Sequence, residues 1–315
     1  MTLETVSGGT AGTWLLGDLT VNRIGFGAMR LTGSAAFHQG IARDRSQVIG
    51  VLRRAVELGV NHVDTAAFYF SRLRSANELI NAALAPYPDD LVIATKVGPT
   101  RDASGEWTTP ARPGQLRGQV EENLRQLGRD HLDVVNLRLM GQDSISEHFG
   151  ALAELRDAGL IRHLGISGAR PTHLAQAQAI APVVCVQNRY GIDARSSTEM
   201  LHTCAAHGIA FVPFFSIAGE GREAGAIHAE EEQILAVARA HGVSPAQVRL
   251  AWILRQGKHV LAIPGTGNPD HLIDNLAAGS LHLTEEDLAV LDSINCTAFC
   301  ADCHQAREQI QHPSR

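Results

Sequence analysis

Asp64, Tyr69 and Lys96 are the residues of this chain whose types and spacing could carry out chemistry. Asp64 ends the run Asn61-His62-Val63-Asp64, and Tyr69 follows five residues later. Lys96 ends the apolar run Leu91-Val92-Ile93-Ala94-Thr95-Lys96. Both runs read as the ends of buried strands. An Asp before Thr at such an end serves as readily as a cap or turn residue. Lys96 alters that balance, because an ammonium at the tip of an apolar strand is costly unless a carboxylate such as Asp64 neutralises it. An ammonium beside Tyr69 lowers the phenol's pKa toward working pH, so the three together make a proton-transfer device.

Positioning them requires strands that end on one face. A Gly-Asp pair between residues 13–16 and 19–21 predicts a short hairpin, able to plug the bottom of a barrel. Residues 23–30 then read as a strand ending in glycines. Asp44 reads as the N-cap of a helix in which Val48, Leu52, Ala55, Val56 and Leu58 recur at helical spacing, stopped by Gly59. The unit repeats. Strands are predicted at 61–64, 91–96, 132–137, 162–166, 183–187, 209–214 and 260–263. Helices are predicted at 76–84, 116–127, 144–158, 171–179, 200–207, 245–255 and 271–277. Eight short, non-alternating strands, each followed by a helix, predict an α/β fold, the (β/α)8 TIM barrel. Two extra helices, 231–241 and 285–294, lie outside the repeat. The longer loops 98–112 and 216–229 both follow strands and belong on the face where sites are built. One barrel over residues 1–295 with a flexible Cys/His-containing tail over 296–315 is the expected organisation.

The chain has 315 residues, 44% of them hydrophobic, with 27 Lys plus Arg against 33 Asp plus Glu and a net charge of −6. Such a balance makes nucleic acid and anionic membranes poor partners. The N-terminal stretch MTLETVSGGTAGTW has neither a basic start nor an apolar core, and no apolar run is long enough to span a bilayer, so a cytoplasmic protein is expected. Oligomeric state is not readable from these features.

Several ordered motifs, running from about residue 14 to 294, resemble the aldo-keto reductase family. They are Asp64-Thr65-Ala66-x-x-Tyr69, Thr95-Lys96, Leu164-Gly165-Ile166-Ser167, Val186-Gln187-Asn188 and Ile263-Pro264-Gly265-Thr266. The resemblance implies hydride transfer from NADPH, with NADH the less favoured cofactor, to a small-molecule carbonyl substrate. Tyr69 would donate the proton, with Lys96 and Asp64 behind it. The family's usual His at the end of the fourth strand is here Arg138, whose fixed charge and planar fork suit an anion, a phenolate or a polar ring. Asp133-Val134-Val135-Asn136-Leu137-Arg138 and Val212-Pro213-Phe214-Phe215 are similar to the pyridoxal reductase branch, whose substrate carries an aldehyde beside a phenolic oxygen. The alternative for Arg138 is a structural ion pair with an acid such as Asp143.

The resemblance also implies that Ser167 and Gln187 hold the nicotinamide carboxamide, Phe214 stacks on the ring, and Ser216 and Ile217 follow the pyrophosphate. Gly265, Thr266, Asn268, His271 and Asn275 would surround the adenosine end. Gly168 stands where the family often has Asn, and the usual Lys after Ile-Pro and Arg near residue 271 are missing. Ala28, Met29 and Arg30 would face the nicotinamide or the substrate and Trp107 would close over it, although Trp107 could equally anchor its own loop. A non-catalytic nucleotide-binding barrel and a lyase or isomerase on the same scaffold are the competing functions. Gly25-Phe26-Gly27 lacks the third glycine of a dinucleotide fingerprint.

Cys185 and Cys204 sit in apolar segments and read as buried hydrophobes. Cys296-x3-Cys300-x2-Cys303-His304 is compatible on paper with haem attachment, an iron–sulfur loop or zinc. A tail of free or oxidisable thiols, with no metal, is the reading preferred.

Overall fold

A computed structural model describes residues 6–33, 41–102, 104–217 and 231–294. The tail with Cys296, Cys300, Cys303 and His304, and most of the 216–229 loop, lie outside these residues.

The predicted hairpin forms from β1 (Thr13–Leu16) and β2 (Leu19–Asn22), with Leu16 opposite Leu19 and Gly17 at φ +67° in the turn. Seven parallel strands follow in sequential order: β3 (Phe26–Gly27), β4 (His62–Asp64), β5 (Val92–Val97), β6 (Leu132–Arg138), β7 (Ile161–Ser167), β8 (Val183–Gln187) and β9 (Ala210–Phe211). The strand expected at 260–263 is not regular. Only single bridges form there, from Val260 to Phe211 and from Ala262 to Ile24. Even so, Phe211 N donates to His259 O, Leu261 N to Phe211 O, Ala262 N to Arg23 O and Gly25 N to Ala262 O, at 2.8–2.9 Å. The eighth position therefore closes the (β/α)8 barrel without a continuous ladder. Two neighbours are also shorter than predicted: β3 covers two of residues 23–30, and β9 ends before Pro213, which has no N–H to offer a ladder.

Glycines permit this closure. A Cβ on Gly27 would lie 2.5 Å from Ile263 O, and one on Gly265 would lie 2.4 Å from Gly27 O. Gly27 thus permits the close approach of the first and last barrel strands, while Gly25 makes room for His62 on β4, where a Cβ would lie 2.6 Å from the His62 Nδ1.

Helices α1 (Arg45–Glu57), α2 (Ala76–Leu84), α3 (Leu116–Leu127), α4 (Ser146–Asp157), α5 (Pro171–Gln178), α6 (Thr198–His207), α7 (Glu232–His241), α8 (Pro245–Arg255), α9 (Pro269–Ala277) and α10 (Glu285–Asp292) match the expected periods. Asp44 caps α1 as predicted, accepting from Gln47 N at 2.8 Å. The two helices outside the repeat, α7 and α10, are tied together by His241 and Asp287, 2.8 Å apart.

The core has two compartments. One lies between sheet and helices, and the other fills the barrel, where Leu16 and Val21 of the hairpin meet Val92, Ala94, Val134, Cys185 and Leu261. Leu16 and Val21 are fully buried, each contributing about 1.5–3 kcal/mol by leaving water, so the hairpin is the barrel's floor. With one end floored, the site has to be at the other.

Candidate active site

Asp64 and Lys96 come from the tips of adjacent strands, where Asp64 is in register with Ala94 and Lys96 with Asn136. Lys96 Nζ donates to Asp64 Oδ1 at 2.5 Å and to Thr65 O at 3.1 Å. Gln187 Nε2, from the end of β8, donates to the other carboxylate oxygen at 2.6 Å. Asp64, Lys96 and Tyr69 are only 3%, 5% and 8% exposed, so this ion pair is held away from water with both carboxylate oxygens hydrogen-bonded. The ammonium sits 4.9 Å from the Tyr69 ring centroid and hydrogen-bonds to the phenol.

Burial raises the phenol above its ordinary value, while Lys96 and Arg138 pull it down without prevailing. The sequence expectation that Lys96 brings Tyr69 toward working pH is corrected here. Desolvation of the phenolate outweighs the neighbouring cations. Burial also acts against the Lys96 cation, but Asp64 and Tyr69 prevail and hold it above its usual range.

A buried network fixes the strand tips. Thr65 Oγ1 donates to Asn77 Oδ1 at 2.7 Å, Asn77 Nδ2 to Asn123 Oδ1 at 3.0 Å, and Thr95 Oγ1 to Asn123 Oδ1 at 2.6 Å. The residues beside Asp64 and Lys96 are thereby pinned by α2 and α3. A Thr following or preceding each charged residue was the available signal, but the Asn partners lie in helices that look merely amphipathic.

Above the triad opens a cavity of about 330 Å³. Its walls contain the anticipated Met29, Arg30, Asp64, Tyr69, Lys96, Trp107, Arg138, Ser167, Gln187, Phe214, Ser216, Ile217 and Gly265, joined by Phe68, Met140 and Phe215, which sequence reasoning did not single out. Thr266, Asn268, His271 and Asn275 do not line it. They continue from Gly265 along the chain, with Thr266 and Asn275 buried and Asn268 spending its carboxamide oxygen on capping α9.

Arg138, Ser167 and Gln187 stand in one row of the sheet. Arg138 Nη1 approaches Ser167 Oγ at 3.4 Å, and its guanidinium lies 5.0 Å from the Phe214 centroid. Asp143, the acid that might have claimed Arg138, is instead bridged by Arg170 at 3.0 Å. Gly168, at φ +67°, lies directly beneath: a Cβ there would fall 2.4 Å from Arg138 Nη1. The two departures from the usual motif, Arg138 and Gly168, are therefore one packing solution. Trp107 lines the cavity and meets Phe68 edge-on at 5.9 Å.

One buried polar atom of the cavity has no partner among the described residues: Gln187 Oε1, whose amide nitrogen is taken by Asp64. An acceptor left open beside Ser167 and Phe214 fits a carboxamide amino group, the chemistry of nicotinamide. Sequence reasoning also missed Arg43. A Cβ on Gly267 would lie 2.4 Å from Arg43 Cδ and 2.6 Å from its Nε, so this side chain lies across the loop that leads to α9.

The model of the aldo/keto reductase family matches residues 23–296. The chain belongs to that family. This reductase is 43% identical over 293 residues to pyridoxine 4-dehydrogenase of Escherichia coli strain K12, covering 91% of this chain and 99% of that protein. It is 35% identical over 288 residues to an oxidoreductase of Schizosaccharomyces pombe, covering 91% of each. A solved aldo/keto reductase from Klebsiella pneumoniae, in complex with NADP and acetate, superposes with a TM-score of 0.71 at 26% identity, covering 87% of this chain and 91% of that one. Family membership and the similarity to a pyridoxine 4-dehydrogenase make the protein an NAD(P)H-dependent oxidoreductase. Among the described residues, no helix is long and apolar enough to cross a membrane.

Proposed function

We propose that this reductase reduces a small aldehyde with NADPH, Tyr69 acting as proton donor, and that an aldehyde beside a phenolic oxygen, as in pyridoxal, is the substrate class. The observation that carries the proposal is the buried chain Gln187–Asp64–Lys96 behind Tyr69, with Arg138 on the same cavity wall. The similarity to a pyridoxine 4-dehydrogenase supports the substrate class.

NADPH, when bound, supplies the hydride that reaches the carbonyl carbon. Gln187 Oε1 and the Ser167 hydroxyl hold its carboxamide, Phe214 its ring, and Ser216 and Ile217 follow the pyrophosphate. Gly265, Thr266, Asn268, His271 and Asn275 run along the adenosine end. Arg43 supplies there the cation for the 2′-phosphate that the usual motif positions lack. Met29, Arg30 and Trp107 bound the substrate.

Tyr69 passes its proton to the oxygen that becomes the alcohol hydroxyl. Lys96 stabilises the phenolate left behind, and Asp64, held by Gln187, keeps Lys96 charged and aimed. Arg138 receives the phenolic oxygen beside the aldehyde through its fork.

The test is NADPH oxidation with pyridoxal, simple aldehydes and bulky ketones, in the wild type and Tyr69→Phe. A loss of about 10²–10⁴-fold on that substitution is expected. An undiminished rate with Tyr69→Phe would dismiss the proton-donor role, and a preference for bulky ketones over pyridoxal would dismiss the substrate class.

A further inference from the structure

Arg101 lies five residues beyond Lys96, in the loop that follows β5, and is not part of the cavity wall. Its Nη1 donates to Phe68 O at 2.8 Å and to Phe70 O at 2.9 Å, the two carbonyls that flank Tyr69. Its Nε donates to Gly105 O at 2.8 Å within its own loop. One side of the guanidinium lies over Phe70, 4.2 Å from the centroid, and Trp107 stands 5.5 Å away. Trp107 meets Phe68 edge-on, and Phe68 meets Tyr69 edge-on at 5.1 Å. A single planar cation thus joins the loop bearing the cavity's indole to the short segment bearing the phenol.

The backbone groups of Tyr69 itself are already committed. Its N–H donates to Ala66 O at 3.0 Å and its carbonyl accepts from Ala76 N at 2.9 Å. Those bonds fix the N–H edge of the peptide plane before Tyr69 and the carbonyl of the plane after it, while Arg101 holds the opposite edge of the preceding plane through Phe68 O and, through Phe70 O, the next plane along. A fork with several donors in one plane can grip two carbonyls at once, which a Lys ammonium on a flexible stem does poorly.

We propose that Arg101 is a positioning residue for the proton donor, holding the Tyr69 phenol at the distance and angle that proton transfer to substrate requires. This rests on the reading of Tyr69 as donor. Displacing a reacting group by about 1 Å can cost about 10²-fold in rate, so loss of the grip is felt at the chemical step.

The test is a double-mutant cycle in single-turnover reduction, using Arg101→Met in the wild type and in Tyr69→Phe, with NADP⁺ affinity and melting temperature measured on each protein. Arg101→Met is expected to slow the chemical step about 10- to 100-fold in the wild type but less than about 2-fold in Tyr69→Phe, where no donor remains to misplace. NADP⁺ affinity is expected to stay within about 2-fold. Arg101→Lys, which keeps the charge and loses the fork, is expected to fall between wild type and Arg101→Met. Equal losses in both backgrounds, or no loss in either, would overturn the proposal while leaving Tyr69 as donor. A Tyr69→Phe enzyme with undiminished rate would overturn both together.

Discussion

As the proposed proton donor, Tyr69 would release its proton from a place where burial disfavours its anion. Its pKa lies above the ordinary 10, raised first by desolvation and lowered less strongly by Lys96, so the phenol is protonated throughout the neutral range. That state is the one needed to reduce a carbonyl, whereas oxidation of an alcohol needs the phenolate as base. The rate of reduction is therefore expected to be flat from about pH 6 to 9 and to fall as the phenol ionises, and the rate of oxidation to climb with pH through the same range. Stopped-flow rates in both directions check this, and Tyr69→Phe should remove both dependences. A reduction rate that fell between pH 6 and 8 would mean that a different group is the donor.

At the scale of elements, the site is a row of strand tips whose side chains were chosen in pairs. Arg138 at the end of β6 occupies the space above Gly168, just past β7, and the positive φ of Gly168 already disfavours any other residue. Gly168→Ala is expected to cost about 1–3 kcal/mol from backbone strain alone, plus the displacement of Arg138. In Arg138→His the displacement disappears, so urea denaturation should find Gly168→Ala less harmful there than in the wild type. Arg138→His is also expected to raise KM for pyridoxal about 10-fold or more while changing KM for a simple aldehyde by less than about 3-fold, because only the former presents an oxygen to the guanidinium. An unchanged substrate profile would leave Arg138 with a packing role only.

Two consequences belong to the whole molecule. Arg43 and Gly267 are far apart in sequence yet in contact, and Gln47 donates to Gly267 O at 2.8 Å beside them. Among the described residues no carboxylate is paired with Arg43. Burial and then the charge of Arg30 disfavour its cation, and the negative charge of an arriving phosphate would offset both. Arg43→Gln should weaken NADP⁺ and 2′,5′-ADP binding by about 10- to 100-fold, and NAD⁺ binding by much less. Calorimetry decides the matter, and parallel losses for both nucleotides would reassign Arg43 to the pyrophosphate. The second consequence concerns His62, buried at the start of β4 with its Nδ1 lacking a partner among the described residues. Burial pushes its pKa down to about 4. The unfolded chain then binds more protons than the native one between about pH 6.5 and 4, so stability falls as pH falls through that window and levels off below it. The loss attributable to His62 is on the order of 3 kcal/mol. Urea midpoints measured against pH should show it in the wild type, and His62→Phe should flatten the curve.

Asp64, Tyr69 and Lys96 were legible in the sequence because each sits at the end of an apolar run or just after it, and strand periodicity places such ends on one face of a barrel. The eightfold alternation, the Asp44 cap and the hairpin floor were legible for the same reason, since local pattern and turn chemistry govern them. Only the tertiary structure decided what depends on distance between remote segments. It closed the eighth position with single bridges, set Gly27 against Gly265, laid Arg43 over Gly267 and placed Arg101 across the carbonyls beside Tyr69. It also reversed the expected direction of the Tyr69 pKa, because the desolvation of a phenolate depends on everything packed around it, while the sequence displays only the charges.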